Sequence, residues 1–305
     1  MNIIETQGLG KRYRRTWALR DCTLAVPAGS VVALVGHNGA GKSTLLNLLV
    51  GLIEPTEGSV SVLGGEPAGS LAALDAVGYV AQESPLYQNL TVGETLRVVA
   101  SLNRRWDQRR AETRLAELGI PRSRRVRRMS GGQQAQVALT LALARRPRLL
   151  VLDEPLAMLD PLARFDFMDT VMTAAYQDGL SAILSSHVLA ELERVADHLI
   201  LLSQGRVQVA GNVKSLLAGH RLLTGPAAET GKLPENLPVI HASAVGDRAG
   251  VLVSSGDQNA VPLGDWVGDL PEGWRQEPVS LEEMVIGYLR EPDASVRSET
   301  AEVMA

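Results

Sequence analysis

Gly36-His37-Asn38-Gly39-Ala40-Gly41-Lys42-Ser43-Thr44 has the spacing G-x-x-x-x-G-K-S. Gly36, Gly39 and Gly41 let the backbone take conformations closed to other residues, so successive N–H groups can turn inward around an anion. Lys42 brings an ammonium to the outer oxygens of a polyphosphate, and Ser43 offers a hydroxyl to Mg²⁺. Asp153 and Glu154 stand side by side further along. One carboxylate can hold a divalent cation while its neighbour polarises water. These residue types in this pattern point to binding of a nucleoside triphosphate.

Such groups need rigid elements behind them. Val31–Val35 is a continuous apolar run rich in β-branched residues, the mark of a strand buried on both faces. From Lys42 a helical pattern places Leu45, Leu46, Leu48 and Leu49 toward a core, with Gly51 as its stop. Strand, glycine loop and helix in that order make a P-loop, with the positive helix end facing the phosphates. Leu149–Leu152 is a second buried strand and delivers Asp153-Glu154 at its C-terminal end, where open α/β sheets place ligands. Asp160 is placed as an N-cap with Pro161 at the first helical position. Ser181–Ser185 is a third apolar strand; it ends at Ser186-His187 and leads to a helix with Val188, Leu192 and Val195 on one face. Val77–Ala81 is a strand that delivers Gln82. Residues 2–8, 18–26 and Gly58–Leu63 also read as strands, and 199–203 with 206–210 as a hairpin. Tyr13 offers a stacking face for a nucleobase or is a plain exposed strand aromatic, and Trp17 is a rival for the same role.

Met129-Ser130-Gly131-Gly132-Gln133 combines a capping box, Ser130 with Gln133, and glycines at a helix start. That arrangement both caps the helix and presents an anion site.

Across all 305 residues the net charge is −4, unevenly spread. Residues 1–215 hold 24 Lys/Arg against 20 Asp/Glu, whereas 216–305 hold 6 against 14. This shift predicts a boundary near 218, with a small α+β unit over 219–290 that opens its helix at Ser280-Leu281-Glu282-Glu283. A tail over 291–305 reads as disordered. The single cysteine, Cys22, excludes a disulfide framework and points to a reducing compartment. No apolar stretch is long enough to span a bilayer, and the first residues lack a signal-peptide pattern. The segment 84–146 is a mostly helical insert rich in arginine, including Arg104, Arg105, Arg109, Arg110 and Arg114. Few aromatic residues accompany these arginines, which favours a solvated or protein-docking face over a nucleic-acid surface. His37, His198, His220 and His241 lack metal-ligand spacing and carry no assigned role.

In order and spacing, the P-loop, Gln82, M-S-G-G-Q at 129–133, L-L-V-L-D-E-P at 149–155, L-D-P at 159–161 and S-S-H at 185–187 resemble the ATPase subunit of an ATP-binding cassette (ABC) transporter. The likeness covers residues 1 to about 218, and S-G-G-Q separates this family from other P-loop ATPases. It implies an α/β P-loop NTPase core with an antiparallel β subdomain and a helical subdomain, followed by the small C-terminal domain. It further implies ATP and Mg²⁺ as cofactors. Tyr13 would stack on adenine. Gly36, Asn38, Gly39, Ala40, Gly41, Lys42, Ser43 and Thr44 would hold the phosphates, and Ser43, Asp153 and Gln82 would serve the metal. Glu154 would orient water as general base, with His187 on the γ-phosphate. Ser130, Gly131, Gly132 and Gln133, helped by Asp160, would close over the nucleotide of a second, identical subunit. The partner implied is a membrane-spanning permease docking near Gln82 and the helical subdomain, with this chain peripheral on the cytoplasmic face of the membrane. The ending Pro278–Glu283 resembles the drug- and antibiotic-export branch. The rival is a soluble ABC ATPase acting on ribosomes or nucleic acid. It would carry two cassettes or a long coiled-coil insertion, neither of which is present, so no nucleic acid is expected. Met129 replaces the family's leucine, a mild apolar exchange. Gln134-Ala135-Gln136 stands where basic residues are usual, and Met158 where a small residue is common.

Overall fold

The chain opens with a long antiparallel hairpin, β1 (Asn2–Tyr13) and β2 (Thr16–Pro27), turning at Arg14 with φ 53°. Both strands are longer than the sequence predicts. Lys11, Arg12 and Tyr13, beyond the predicted strand 2–8, pair with Leu19, Trp17 and Thr16 across a ladder broken by register shifts. A computed structural model describes residues 1–82, 86–157, 159–186, 189–234, 237–255, 270–291 and 297–298. His187 and Met158, both singled out from sequence, lie outside them, as does Val188.

β3 (Val31–Val35) is buried along its whole length and feeds α1 (Lys42–Leu49). β4 (Glu57–Val62) and β5 (Glu66–Pro67) complete a sheet of order β2-β1-β4-β5. After α2 (Leu71–Ala76) and β6 (Val77–Val80) comes a helical layer of α3 (Val92–Leu102), α4 (Gln108–Glu117) and α5 (Gly131–Ala144). Val92, Leu96, Ala111, Leu115, Val137 and Leu141 form its own apolar core. The remaining core elements are β7 (Leu149–Leu152), α6 (Pro161–Asp178), β8 (Ser181–Ser185), α7 (Leu189–Leu192), β9 (His198–Ser203) and β10 (Arg206–Asn212).

The central sheet runs β10-β9-β3-β8-β7-β6. β3 is parallel to both β8 and β9, and β7 is parallel to β8 and β6. The C-terminal ends of β3, β8, β7 and β6 therefore line one edge, and each leads into a segment the sequence marks for chemistry. The two faces of β3 serve different cores. Val31, Ala33 and Val35 pack toward α5 and α6, while Val32 and Leu34 pack with α1 and the hairpin.

Beyond α8 (Val213–Ala218), β11 (His220–Pro226), β12 (Val239–Val245), β13 (Arg248–Ser254) and β14 (Arg275–Pro278) form an antiparallel sheet of order β12-β13-β11-β14. α9 (Leu281–Arg290) begins with the expected capping box, Ser280 and Glu283 each accepting the other's backbone N–H. Its Leu281, Met284, Val285 and Tyr288 are buried in one continuous core with Leu192, Leu199 and Val213. The amide of Leu281 also donates to Glu193 Oε1 at 3.2 Å. His220 is a structural histidine. Its Nδ1 donates to the Leu216 carbonyl at 2.6 Å, so its Nε2 accepts from the Tyr288 hydroxyl at 2.9 Å. In the tail, β15 (Arg297–Ser298) pairs in parallel with Val209 and Ala210 of β10.

Candidate functional site

Gly36 leaves β3 so close to β9 that a Cβ would sit 2.4 Å from the Leu202 carbonyl oxygen. Gly41 has φ 106°, and a Cβ there would lie 2.5 Å from the Ala18 carbonyl oxygen on β2. The loop is thus wedged between two strands, with His37, Asn38 and Gly39 exposed at its crest and Ala40 buried beneath. Gly41→Ala is expected to lower stability by at least ~1–2 kcal/mol, the cost of a left-handed L-residue before any clash. A urea melt checks this, and an unchanged midpoint would contradict it.

Lys42, only 6% exposed, lies at the first turn of α1. Its ammonium donates to the Gly36 carbonyl at 2.8 Å and lies 3.5 Å from Glu154 Oε1. Buried cations are held by such oxygens, and phosphate oxygens are chemically equivalent partners. The lysine and the glutamate predicted from sequence are therefore brought together.

Asp153 is pinned from two neighbouring strands. Its N–H donates to the Val80 carbonyl at 2.9 Å, and its Oδ1 accepts from the Ser185 hydroxyl at 2.8 Å. The same hydroxyl accepts from the Glu154 N–H at 2.7 Å. Glu154 has φ 44°, an uncommon left-handed setting for a residue with a side chain. Sequence reading quoted Ser185 within S-S-H but gave it no role. The signal was a hydroxyl at the end of a buried strand, and only the β7–β8 register turns it toward both acids.

Tyr79, half-buried on β6, donates its hydroxyl to Asn47 Oδ1 at 3.1 Å and so ties α1 to the sheet. Burial first, and then the nearby negative charge of Asp153, push the Tyr79 phenol up to about 12, so it keeps its proton. Gln82 follows β6 and is exposed at the same edge. Ser43 and Asp153 offer hydroxyl and carboxylate oxygens, and Gln82 an amide oxygen. Such hard donors suit Mg²⁺, which also keeps several of its own waters. Among the described residues no cluster of three His, Cys, Asp or Glu is present. A metal here would rest on this mixed set and on phosphate.

Two predicted groups lie apart from the cradle. Tyr13 is 47% exposed at the hairpin tip, with the Lys11 ammonium 5.5 Å from its ring centroid. Trp17 is covered differently: the Arg12 guanidinium lies over its ring at 5.3 Å, and Gly10 approaches it from the backbone. Ser130 caps α5 through a reciprocal bond with Gln133, and their hydrogen bonds stay local among the described residues. Gly132 packs against Leu159: a Cβ there would be 3.2 Å from Leu159 Cδ2. This contact sets Ser130 and Gly131 beside the loop of Asp160, all three exposed. Asp160 caps α6 by accepting from the Ala163 N–H at 2.9 Å, as its position before Pro161 predicts.

Residues 19–157 match the family model described as "ABC transporter". The chain is 30% identical over 234 residues to the bacitracin transport ATP-binding protein BcrA of Enterococcus faecalis, covering 76% of each chain. It is 36% identical over 219 residues to the Fe(3+) ions import ATP-binding protein FbpC of Pseudomonas fluorescens, covering 69% of this chain and 62% of that protein. A solved structure described as the ATP binding subunit of an ABC transporter superposes with a TM-score of 0.63 at 31% identity, over 70% of this chain and 90% of that one. With a phosphate cradle, paired acids and a serine-glycine helix tip on one scaffold, this chain belongs to the ABC transporter family as an ATP-binding, ATP-hydrolysing subunit.

Proposed function

We propose that two copies of this chain close around two ATP molecules, and that the closure drives substrate export through a separate membrane-spanning permease. The observation that carries this reading is the separation of the site into two halves. The cradle, Lys42, Asp153 and Glu154 form one group at the sheet edge, while Ser130, Gly131 and Asp160 form a second exposed group at the N-terminal ends of α5 and α6. A helix N-terminus with open amides seeks an anion, and the γ-phosphate on an opposing copy supplies one.

In this reading Gly36–Thr44 amides and the α1 N-terminus hold the phosphates, and Lys42 exchanges its Glu154 contact for γ-phosphate oxygens. Bound Mg²⁺ would neutralise phosphate charge, with Ser43, Asp153 and Gln82 serving it. Glu154 orients and deprotonates water, His187 contacts the γ-phosphate, and Gln133 steadies the tip through its bond to Ser130. Tyr13 stacks on adenine, which its greater exposure at the hairpin tip supports over the half-buried Trp17. Phosphoryl transfer needs positioning and charge stabilisation more than covalent chemistry, and these groups supply both.

Among the described residues no helix is long and apolar enough to cross a membrane. Tyr87, five residues after Gln82 in sequence, and Val98 and Leu102 on α3 are exposed, which supports permease docking there and membrane attachment through it. The name of BcrA speaks of bacitracin transport and that of FbpC of Fe(3+) import, and the resemblance of the Pro278–Glu283 ending to the drug- and antibiotic-export branch favours export. Co-purification of the tagged chain from detergent-solubilised membranes is expected to bring down a multispanning protein. Recovery of ribosomal or nucleic-acid partners instead would overturn the transport reading.

A further inference from the structure

One hydroxyl lies between the two acids of the site. Ser185 is fully buried at the end of β8, donates to Asp153 Oδ1 at 2.8 Å and accepts from the Glu154 N–H at 2.7 Å. We propose that Ser185 is a positioning residue for hydrolysis, setting the Asp153 carboxylate for the metal and the Glu154 backbone for water in a single bridge. The inference rests on the roles given above to Asp153 and Glu154.

The physical argument has two parts. A carboxylate on a strand end rotates about two side-chain torsions, and binding a metal well requires one rotamer. Val80 fixes the Asp153 backbone through its carbonyl, and the Ser185 proton fixes Oδ1, leaving the second oxygen to coordinate. Glu154 then has to turn back toward Lys42, which it does at φ 44°. That setting costs free energy for a residue with a Cβ and persists only where the surroundings hold it. The bond from the Glu154 N–H to the Ser185 oxygen supplies such a hold. No other side chain among the described residues bonds both acids.

The test compares Ser185→Ala with Ser185→Cys, which refills the space with a weak donor and acceptor. ATP binding is measured by calorimetry with Mg²⁺ and again with EDTA, and turnover is measured beside it. In both variants the EDTA affinity is expected to stay within about twofold. The gain in affinity given by Mg²⁺ should fall about tenfold or more, the size expected for loss of a charge-assisted hydrogen bond. Turnover at saturating ATP should fall at least as far, separating kcat from binding. Recovery by the cysteine variant of both the Mg²⁺ gain and kcat would make Ser185 a space filler and overturn the proposal. Wild-type behaviour of the alanine variant would do the same. Equal loss of ATP affinity with and without Mg²⁺ would mean general damage, also against it. Asp153→Asn is the separate control: if it leaves the Mg²⁺ gain intact, the metal role of Asp153 fails, whatever Ser185 does.

Discussion

Glu154→Gln is expected to bind ATP and all but cease to hydrolyse it. The amide is nearly the same shape, so the left-handed backbone at 154 and its bond to Ser185 are kept. What disappears is the charge and the capacity to take a proton from water, worth about 10²–10⁴-fold in turnover for a positioned general base. Affinity should not fall. The Glu154 carboxylate lies 3.5 Å from the Lys42 ammonium and would compete with phosphate for it. The amide is a weaker competitor, so ATP should bind as tightly as in the parent or more tightly. With hydrolysis blocked, the two-copy closed form should accumulate, visible as an ATP-dependent dimer on gel filtration. Turnover near that of the parent would take Glu154 out of the base role.

Lys42→Ala acts on the other side of the same contact. The ammonium is almost wholly withdrawn from water and held by the Gly36 carbonyl and Glu154, so it is already desolvated when phosphate arrives. Loss of a hydrogen bond to a charged group costs about 1.5–3 kcal/mol, or roughly 10- to 150-fold in affinity. ATP titration of the folded variant should show that loss, and the thermal midpoint should be recorded beside it, because a buried cation also contributes to the fold around it. An affinity equal to the parent's would contradict the phosphate role of the cradle.

Much of this site was legible in the sequence because its parts are local. β3 and β7 are short, wholly apolar runs; the glycine loop with its lysine follows the first and the two acids follow the second, while β8 ends at Ser185-Ser186. Asp160-Pro161 and Ser280–Glu283 declare helix starts within four residues, and both helices begin there. The residues that sequence reading misplaced or left without a role depend on pairing between distant segments. The strand predicted over 2–8 stops short of Lys11-Arg12-Tyr13 because charge hides a ladder made by the backbone with residues 16–19. Ser185 acquires its two partners only once β8 lies beside β7 in register. The approach of Gly132 to Leu159, which gathers the second half of the site, crosses 27 residues with no pattern to announce it.

The seating of α9 has a consequence for anyone dividing the molecule. A cut after Ala218, where the charge balance changes, would pass through shared apolar packing and leave Leu192 and Val213 without their cover. The shortened product would differ from the parent at the turn that follows α7, through the lost Leu281 tether to Glu193, and would misreport the speed of the intact motor.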